Sequence, residues 1–339
     1  MPEPADDDVY DAVVVGGGPA GLSAALNLGR ARARILVVDA DRPRNAATLN
    51  SHGFLTRDGT PPHELRRLAR TELGAYPLVE VLVRTRVTAV TTASGPRAAA
   101  IGGISARQTD RSGQPATTAG DARFVVALEG RRSQASVRAR SVIVATGLRE
   151  TLPGIPSIRA FYGMSVFSCA ACDAWELQDR RLGLIGETSD LADRARLIAR
   201  WTDRLTVFTN GADVVDAVEE AELAASGIAV ERRAIADLEG DRGVVAAVRL
   251  ADGSRVPIDG GFVRPDWTPA LDFLDDLGVD LDPHGHLLVD RSGRTSIAGL
   301  YGAGDAVAPG PQQLIIAAGQ GARVAAVLVH DQIGVRTAH

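Results

Sequence analysis

The chain has only two cysteines, and they stand three residues apart: Cys169 and Cys172 frame the stretch FSCAACDAWE. In a C-x-x-C pair one sulfur exchanges with an incoming thiol or disulfide and the other resolves the mixed disulfide, and a helix start beneath the pair favours the thiolate. Two cysteines are too few for a disulfide scaffold. They are also one pair short of a closed four-cysteine zinc site, and no His or Cys lies at ligand spacing nearby, so no metal is expected. Redox chemistry leads, ahead of two small packed residues or half of a zinc site shared across a dimer.

A second centre of chemistry lies near the start. Gly16, Gly18 and Gly21 form G-x-G-x-x-G, with Pro19 and Ala20 inside the turn, and Asp39 follows Gly21 by 18 residues. Gly16 permits the tight turn, Gly18 lets backbone approach a pyrophosphate, and Gly21 lets helix meet strand. Asp39 can bond a ribose hydroxyl, and the helix N-terminus faces the phosphates. The plainer reading is a glycine-rich turn that packs a helix closely.

The elements that position these groups read as α/β. Tyr10 to Val38 is strand, turn, helix and strand. A helix from about His63 to Leu73 starts at Pro61 and Pro62. β-branched runs follow at Val79 to Val90, then strands at Phe124 to Leu128 and Ser141 to Ala145. Thr91 to Arg123 is rich in Gly, Ala, Ser, Thr and Pro, has little to bury, and reads as a mobile insert. Beyond Pro153 and Pro156 a second βαβ unit appears: RLGLIG, a helix from Ser189 to Trp201, and RLTVF. A further helix is expected over Asp213 to Ala225, and short β runs over Ile228 to Val256. The expected fold is therefore two Rossmann-like domains of the FAD/NAD(P)-binding type, the second inserted into the first. Residues 1–152 and 262–339 form the first, with 91–123 as its insert, and 153–261 form the second.

Length and charge agree with this. The 339 residues suit two domains. All 37 basic residues are Arg, against 42 Asp plus Glu, for a net charge of −5 with no basic stripe, so nucleic acid is not an expected partner. No uninterrupted apolar run approaches the roughly 20 residues of a bilayer span, and MPEPADDDVY lacks a basic n-region, so a cytoplasmic protein without a membrane partner is expected.

VIVATGLRE at Val142 to Glu150, with Ala145 and Gly147, and the late stretch with Gly304, Asp305, Pro311, Gln312, Gln313 and Leu314 resemble the flavoprotein disulfide reductases with two dinucleotide folds. The order of all segments is similar to that of the low-molecular-weight thioredoxin reductases. The resemblance implies that the first glycine motif and Asp39 bind the adenosine half of FAD, and that Asp305 holds the ribityl chain. It implies that the helix opening at Gln312 and Gln313 points at the flavin pyrimidine edge, where its dipole favours an anionic reduced flavin. Cys172 would be the thiol next to the flavin, Cys169 the exchanging thiol, and Asp173 the acid/base. A homodimer is expected from the family alone.

One module departs from that pattern. Its turn reads Gly186, Glu187, Thr188, Ser189, Asp190, Leu191, so only the first glycine slot survives. Thr188 and Leu191 fill positions that need glycine, and Glu187 and Asp190 add charge facing an anion. A carboxylate about 4 Å from a phosphate at an effective dielectric of about 20 costs about 4 kcal/mol, more than a helix dipole returns. Thr209, Asn210 and Gly211 replace the basic cluster for a 2′-phosphate, unless Arg194 or Arg204 reaches in. FAD and the thiol pair without nicotinamide input are similar to the FAD-dependent dithiol oxidases of the gliotoxin and holomycin type, as are SHGFLTRDG, LGRARAR and the WE after the cysteines. The implied function is closure of a disulfide in a small natural-product dithiol with dioxygen as acceptor. The alternative is a thioredoxin reductase-like reductase fed by ferredoxin or by a divergent NADPH site. The dithiol oxidases usually carry His after the second cysteine, and thioredoxin reductases carry Asp. This chain has Asp173, so His52 stands as the other candidate base.

Overall fold

The computed structural model describes residues 9–93, 122–131, 133–307 and 310–335. These form two compact units: Met1–Arg42 with Arg66–Leu148 and Pro269–His339, and Pro43–Leu65 with Arg149–Thr268. The segment Pro43–Leu65, expected in the first domain, belongs to the second unit.

In the first unit, five parallel strands run in the order Leu300–Gly302, Val142–Val144, Ala12–Val15, Ile35–Asp39, Val79–Val83. The central strands AVVV and ILVVD are buried at every residue, as parallel strands covered on both faces must be. One face packs on the helices Pro19–Arg30 and Leu314–Gln332. The other packs on a four-stranded sheet that includes Arg86–Thr92, Phe124–Glu129 and Gln134–Ala139. The last of these strands carries QASVRA, with one large apolar side chain and an exposed face, so it lacks the alternation by which a strand is recognised. Thr91 and Thr92 end the strand before it, and residues 94–121 of the expected insert lie outside the described residues.

The second unit repeats the layout. Its parallel strands run in the order Val166–Phe167, Gly260–Val263, Leu182–Ile185, Leu205–Phe208, Ala229–Glu231. Helices cover one face, and an antiparallel sheet of Ile235–Asp241, Val244–Leu250 and Arg255–Pro257 belongs to the cluster on the other. The helix expected over Ser189 to Trp201 spans Leu191–Ile198, because the side chains of Thr188 and Asp190 bond each other at its start. That expected over Asp213 to Ala225 begins at Ala217, where Asp216 and Glu219 form a capping box. Strands Leu148–Thr151 and Asp266–Pro269, one on each crossing of the chain between units, pair as a ribbon.

Among the described residues, Leu314–Gln332 is the one helix long and apolar enough to cross a membrane. In this fold one face of it, with Ala317, Gly321, Val324, Ala325 and Leu328 buried, packs against the first unit's core. A side chain at Gly321 would meet the Ala20 carbonyl oxygen at 2.0 Å, so the two helices touch backbone to backbone. Gly321→Val is expected to lower stability by about 1–3 kcal/mol, measured by thermal unfolding of the holoprotein.

Candidate functional site

Cys169 and Cys172 form a disulfide with 5.3 Å between Cα atoms. Cys169 caps the one-turn helix Ala170–Asp173, and its carbonyl accepts from the backbone N–H groups of Cys172 and Asp173. The turn is fixed just past the edge strand Val166–Phe167. Beside it, Tyr162 donates from its hydroxyl to Glu150 and lies 3.0 Å from the hydroxyl of Ser168, and Trp267 Nε1 donates to the other oxygen of Glu150 at 3.0 Å.

Asp173 is buried, with 8% of its surface exposed. Burial pushes its carboxyl up to about 7; the field of His52 works against this rise and that of Glu176 adds to it. His52 comes from the loop that closes where Ser51 bridges Thr60. Its Nδ1 lies 3.7 Å from Asp58 Oδ1 and its Nε2 3.6 Å from Glu176 Oε1. The structure thus brings together Cys169, Cys172, Asp173 and His52, all in the second unit, and adds Glu176 and Asp58. Glu176 stands three residues beyond Asp173, past the end of the helical turn, and its meeting with His52 is a long-range contact that no local pattern encodes.

The expected cofactor residues gather in the first unit. Gly16 has φ +117°, and a Cβ there would lie 2.2 Å from the Ala145 carbonyl oxygen; a Cβ on Gly21 would lie 1.9 Å from that of Gly16. Gly18 caps the helix that Pro19 and Ala20 open, and nothing lies within 4 Å of where its Cβ would be. The Thr146 hydroxyl, between Ala145 and Gly147, is buried without a partner. Asp39 ends its strand buried; Oδ1 accepts from the Asp41 N–H at 2.8 Å and Oδ2 from Arg70. Gly304, Asp305 and Gln312 line a shallow cleft together with His286 and Gln320. Gln313 caps the helix that Leu314 begins. An open glycine cradle, an orphaned hydroxyl and a strand-end acid suit the phosphates and ribose of a dinucleotide, so the donor set fits FAD. Arg70, His286 and Gln320 were not legible in the sequence. His286 is buried in a turn where Asp282 accepts from the backbone N–H groups of His284 and His286.

The second glycine turn is different. Ligands of doubly wound sheets sit where the strand order reverses, which here is between Leu182–Ile185 and Gly260–Val263. A Cβ at Gly186 would meet Leu191 Cδ1 at 2.7 Å and Arg264 Cβ at 2.9 Å, so both side chains crowd the turn. Asp190 accepts from Arg194 Nε at 2.7 Å, Arg264 Nε at 3.0 Å and the Thr188 hydroxyl. Burial opposes its charge, yet the bonds from Thr188, Arg194 and Arg264 hold the carboxyl at about 2. Arg264, Arg194 and Arg44 approach the Trp267 ring at 4.3, 5.4 and 5.8 Å. Glu187 accepts from Asn210, whose own oxygen accepts from the Ile235 N–H. Asp190 is therefore paired with cations, whereas Glu187 has an amide partner, and at Asp190 the expected repulsion of phosphate gives way to occupation: the protein's own carboxylate and arginines stand at the start of the helix. Arg194 does reach this turn, but it is bonded to Asp190. The residues present do not fit a nicotinamide dinucleotide.

Residues 10–321 match the family model of the pyridine nucleotide-disulphide oxidoreductases. The chain belongs to that family. Disulphide oxidoreductases of this kind are FAD flavoproteins, and the protein is an enzyme of the thioredoxin reductase-like group within them. TrxB of Bacillus anthracis, provisionally assigned as a thioredoxin reductase, superposes with a TM-score of 0.82 at 34% identity over 96% of this chain and 99% of that one. HlmI superposes with a TM-score of 0.83 at 31% identity over 96% and 93%. A protein of Arthroderma benhamiae named as a probable thioredoxin reductase is 30% identical over 60% of this chain, which spans 44% of that protein's length.

Two outcomes test this flavoprotein site. Gly21→Ala, whose methyl would collide with the Gly16 carbonyl, is expected to yield protein lacking flavin absorbance. Asp173 binds its proton more tightly folded than unfolded, so folding stability falls as pH rises from the unfolded value near 4 through about 7. Asp173→Asn is therefore expected to raise the melting temperature more near pH 8 than near pH 4, by on the order of a few kcal/mol in stability.

Proposed function

We propose that this disulphide oxidoreductase is an FAD-dependent dithiol oxidase. It closes a disulfide in a small-molecule dithiol, such as a natural-product precursor, and delivers the electrons to dioxygen: R(SH)2 + O2 → R(S–S) + H2O2. One observation carries the reading. The redox disulfide and its buried acid are intact, whereas the turn that would admit a nicotinamide dinucleotide is filled by the Asp190, Arg194 and Arg264 cluster. The similarity to HlmI supports it.

In this reading a substrate thiolate attacks Cys169, the residue at the head of the helical turn, and breaks the bond to Cys172. Asp173 takes up and returns the thiol protons, a task suited to a group that titrates at about 7. The second substrate thiolate then displaces Cys169, leaving substrate disulfide and two reduced cysteines. Gly16, Gly18, Gly21 and Asp39 would hold the adenosine half of FAD, and Asp305, Gln312 and Gln313 would serve its flavin half. Bound there, FAD supplies the two-electron acceptor that reoxidises the cysteine pair and passes the electrons to dioxygen.

A second reading, a disulfide reductase fed by ferredoxin or NADPH, is favoured by the acid at position 173 and by the thioredoxin reductase names of relatives. The two separate on anaerobic reduction of the bound flavin. Under the oxidase reading, a small dithiol bleaches it rapidly, NADPH does not, and admitted air restores it with one peroxide per disulfide formed. Cys172→Ser abolishes the dithiol reaction. Fast bleaching by NADPH would overturn the oxidase reading.

A further inference from the structure

We propose that Tyr162 and Glu150 are positioning residues for the redox pair: through the hydroxyl of Ser168 they tether the segment that carries Cys169, and so set how readily the Cys169–Cys172 disulfide opens. This rests on the thiol-disulfide reading of the site, though not on the direction of electron flow. All the groups involved belong to the second unit.

Once the covalent bond is open, the cysteines ride on the four-residue helix Ala170–Asp173, and one turn of helix does not sustain itself. Upstream, the chain is firmly seated as far as Phe167. Val166 and Phe167 pair with Gly261 and Phe262, and the Ser165 hydroxyl donates to the Gly243 carbonyl at 2.7 Å while accepting from the Val245 N–H at 2.9 Å. Ser168 is the single residue between that ladder and Cys169. Its hydroxyl lies 3.0 Å from that of Tyr162.

The direction of these bonds follows from counting protons. Glu150 accepts from the Tyr162 hydroxyl on one oxygen and from Trp267 Nε1 on the other, the latter at 3.0 Å. Burial, and then the bond to Glu150, raise the Tyr162 phenol above its ordinary value, so it keeps its one proton, and that proton is spent on Glu150. The Ser168 hydroxyl therefore donates to the Tyr162 oxygen. A chain with one direction runs from Ser168 through Tyr162 to a carboxyl held between two aromatic side chains. While the disulfide is closed, the covalent bond fixes the turn and the tether adds little. Once it opens, the tether keeps the Cys169 backbone in place, so each thiol stays at high effective concentration for the other, which favours closure. Loss of the tether frees the open form more than the closed one and makes the disulfide easier to reduce.

The test is the equilibrium of the pair in anaerobic holoprotein. Protein is equilibrated with mixtures of dithiothreitol and its oxidised ring, in which one disulfide opens as the other closes. The thiols are trapped with N-ethylmaleimide and the dithiol fraction is read by mass spectrometry. Tyr162→Phe, which removes only the hydroxyl, and Ser168→Ala are each expected to favour the reduced pair by about three- to tenfold, a rise in midpoint potential of about 15–30 mV. The double variant is expected to shift no further than the larger single one, because both remove the same bond. Ser168 is half-buried and loses one oxygen atom, so its variant folds and decides the matter alone. An equilibrium that stays at the wild-type value, or moves toward the disulfide, overturns the proposal. Shifts that add in the double variant overturn it as well, since they mark independent disturbances of the fold. The equilibrium involves neither dioxygen nor NADPH. Fast bleaching by NADPH therefore removes the oxidase reading and leaves the tether, whereas an unmoved equilibrium removes the tether and leaves the oxidase reading.

Discussion

An ionised carboxylate held half out of water must be paired, and at Asp190 the pairing decides what the second unit can accept. Two guanidinium groups and a hydroxyl converge on it, and Arg264 is anchored on the far side of the crevice, directly after the strand Gly260–Val263. The same arginine lies over the Trp267 ring, whose N–H is tied to Glu150. Admitting a pyrophosphate would require breaking these contacts and leaving the Asp190 charge beside another anion, a heavy penalty for a group without compensation. A module that keeps the strands, the helix and the first glycine of a nucleotide fold has turned its anion site inward.

The redox centre shows the opposite treatment of a carboxylate. Asp173 is buried without a cation bonded to it, so its proton is retained to about neutral pH. Asp190 is fixed in one charge state and Asp173 is free to change. The contrast follows from their neighbours, since both are aspartates in the first turn or cap of a short helix in the same unit. Thiol-disulfide exchange needs a group that gives and takes protons near the working pH, and only the second arrangement provides one.

Much of this was legible in the sequence. The glycine turn, Asp39 and the C-x-x-C-D stretch are local patterns, and the strands around them are continuous β-branched runs. The loss of glycine at Thr188 and Leu191 was equally plain. What could not be read was where charges meet. Asp190 looks repulsive in the sequence because Arg264, which pairs with it, lies 74 residues further along. Gln134–Ala139 escaped notice because an exposed strand has no need of alternating hydrophobes. The unit boundary was misplaced because nothing in the composition of Pro43–Leu65 shows that it packs with residues 149–268.

That last feature bears on how such proteins diversify. The loop with His52 is encoded more than 100 residues before the cysteines it accompanies, on the other side of the first unit's Arg66–Leu148 segment. Recombination that exchanged the contiguous middle segment alone would transplant the sulfur pair and its acid but leave the imidazole behind. The candidate site is thus encoded as a discontinuous set, so that a change on one side of the split meets its neighbours only through the other.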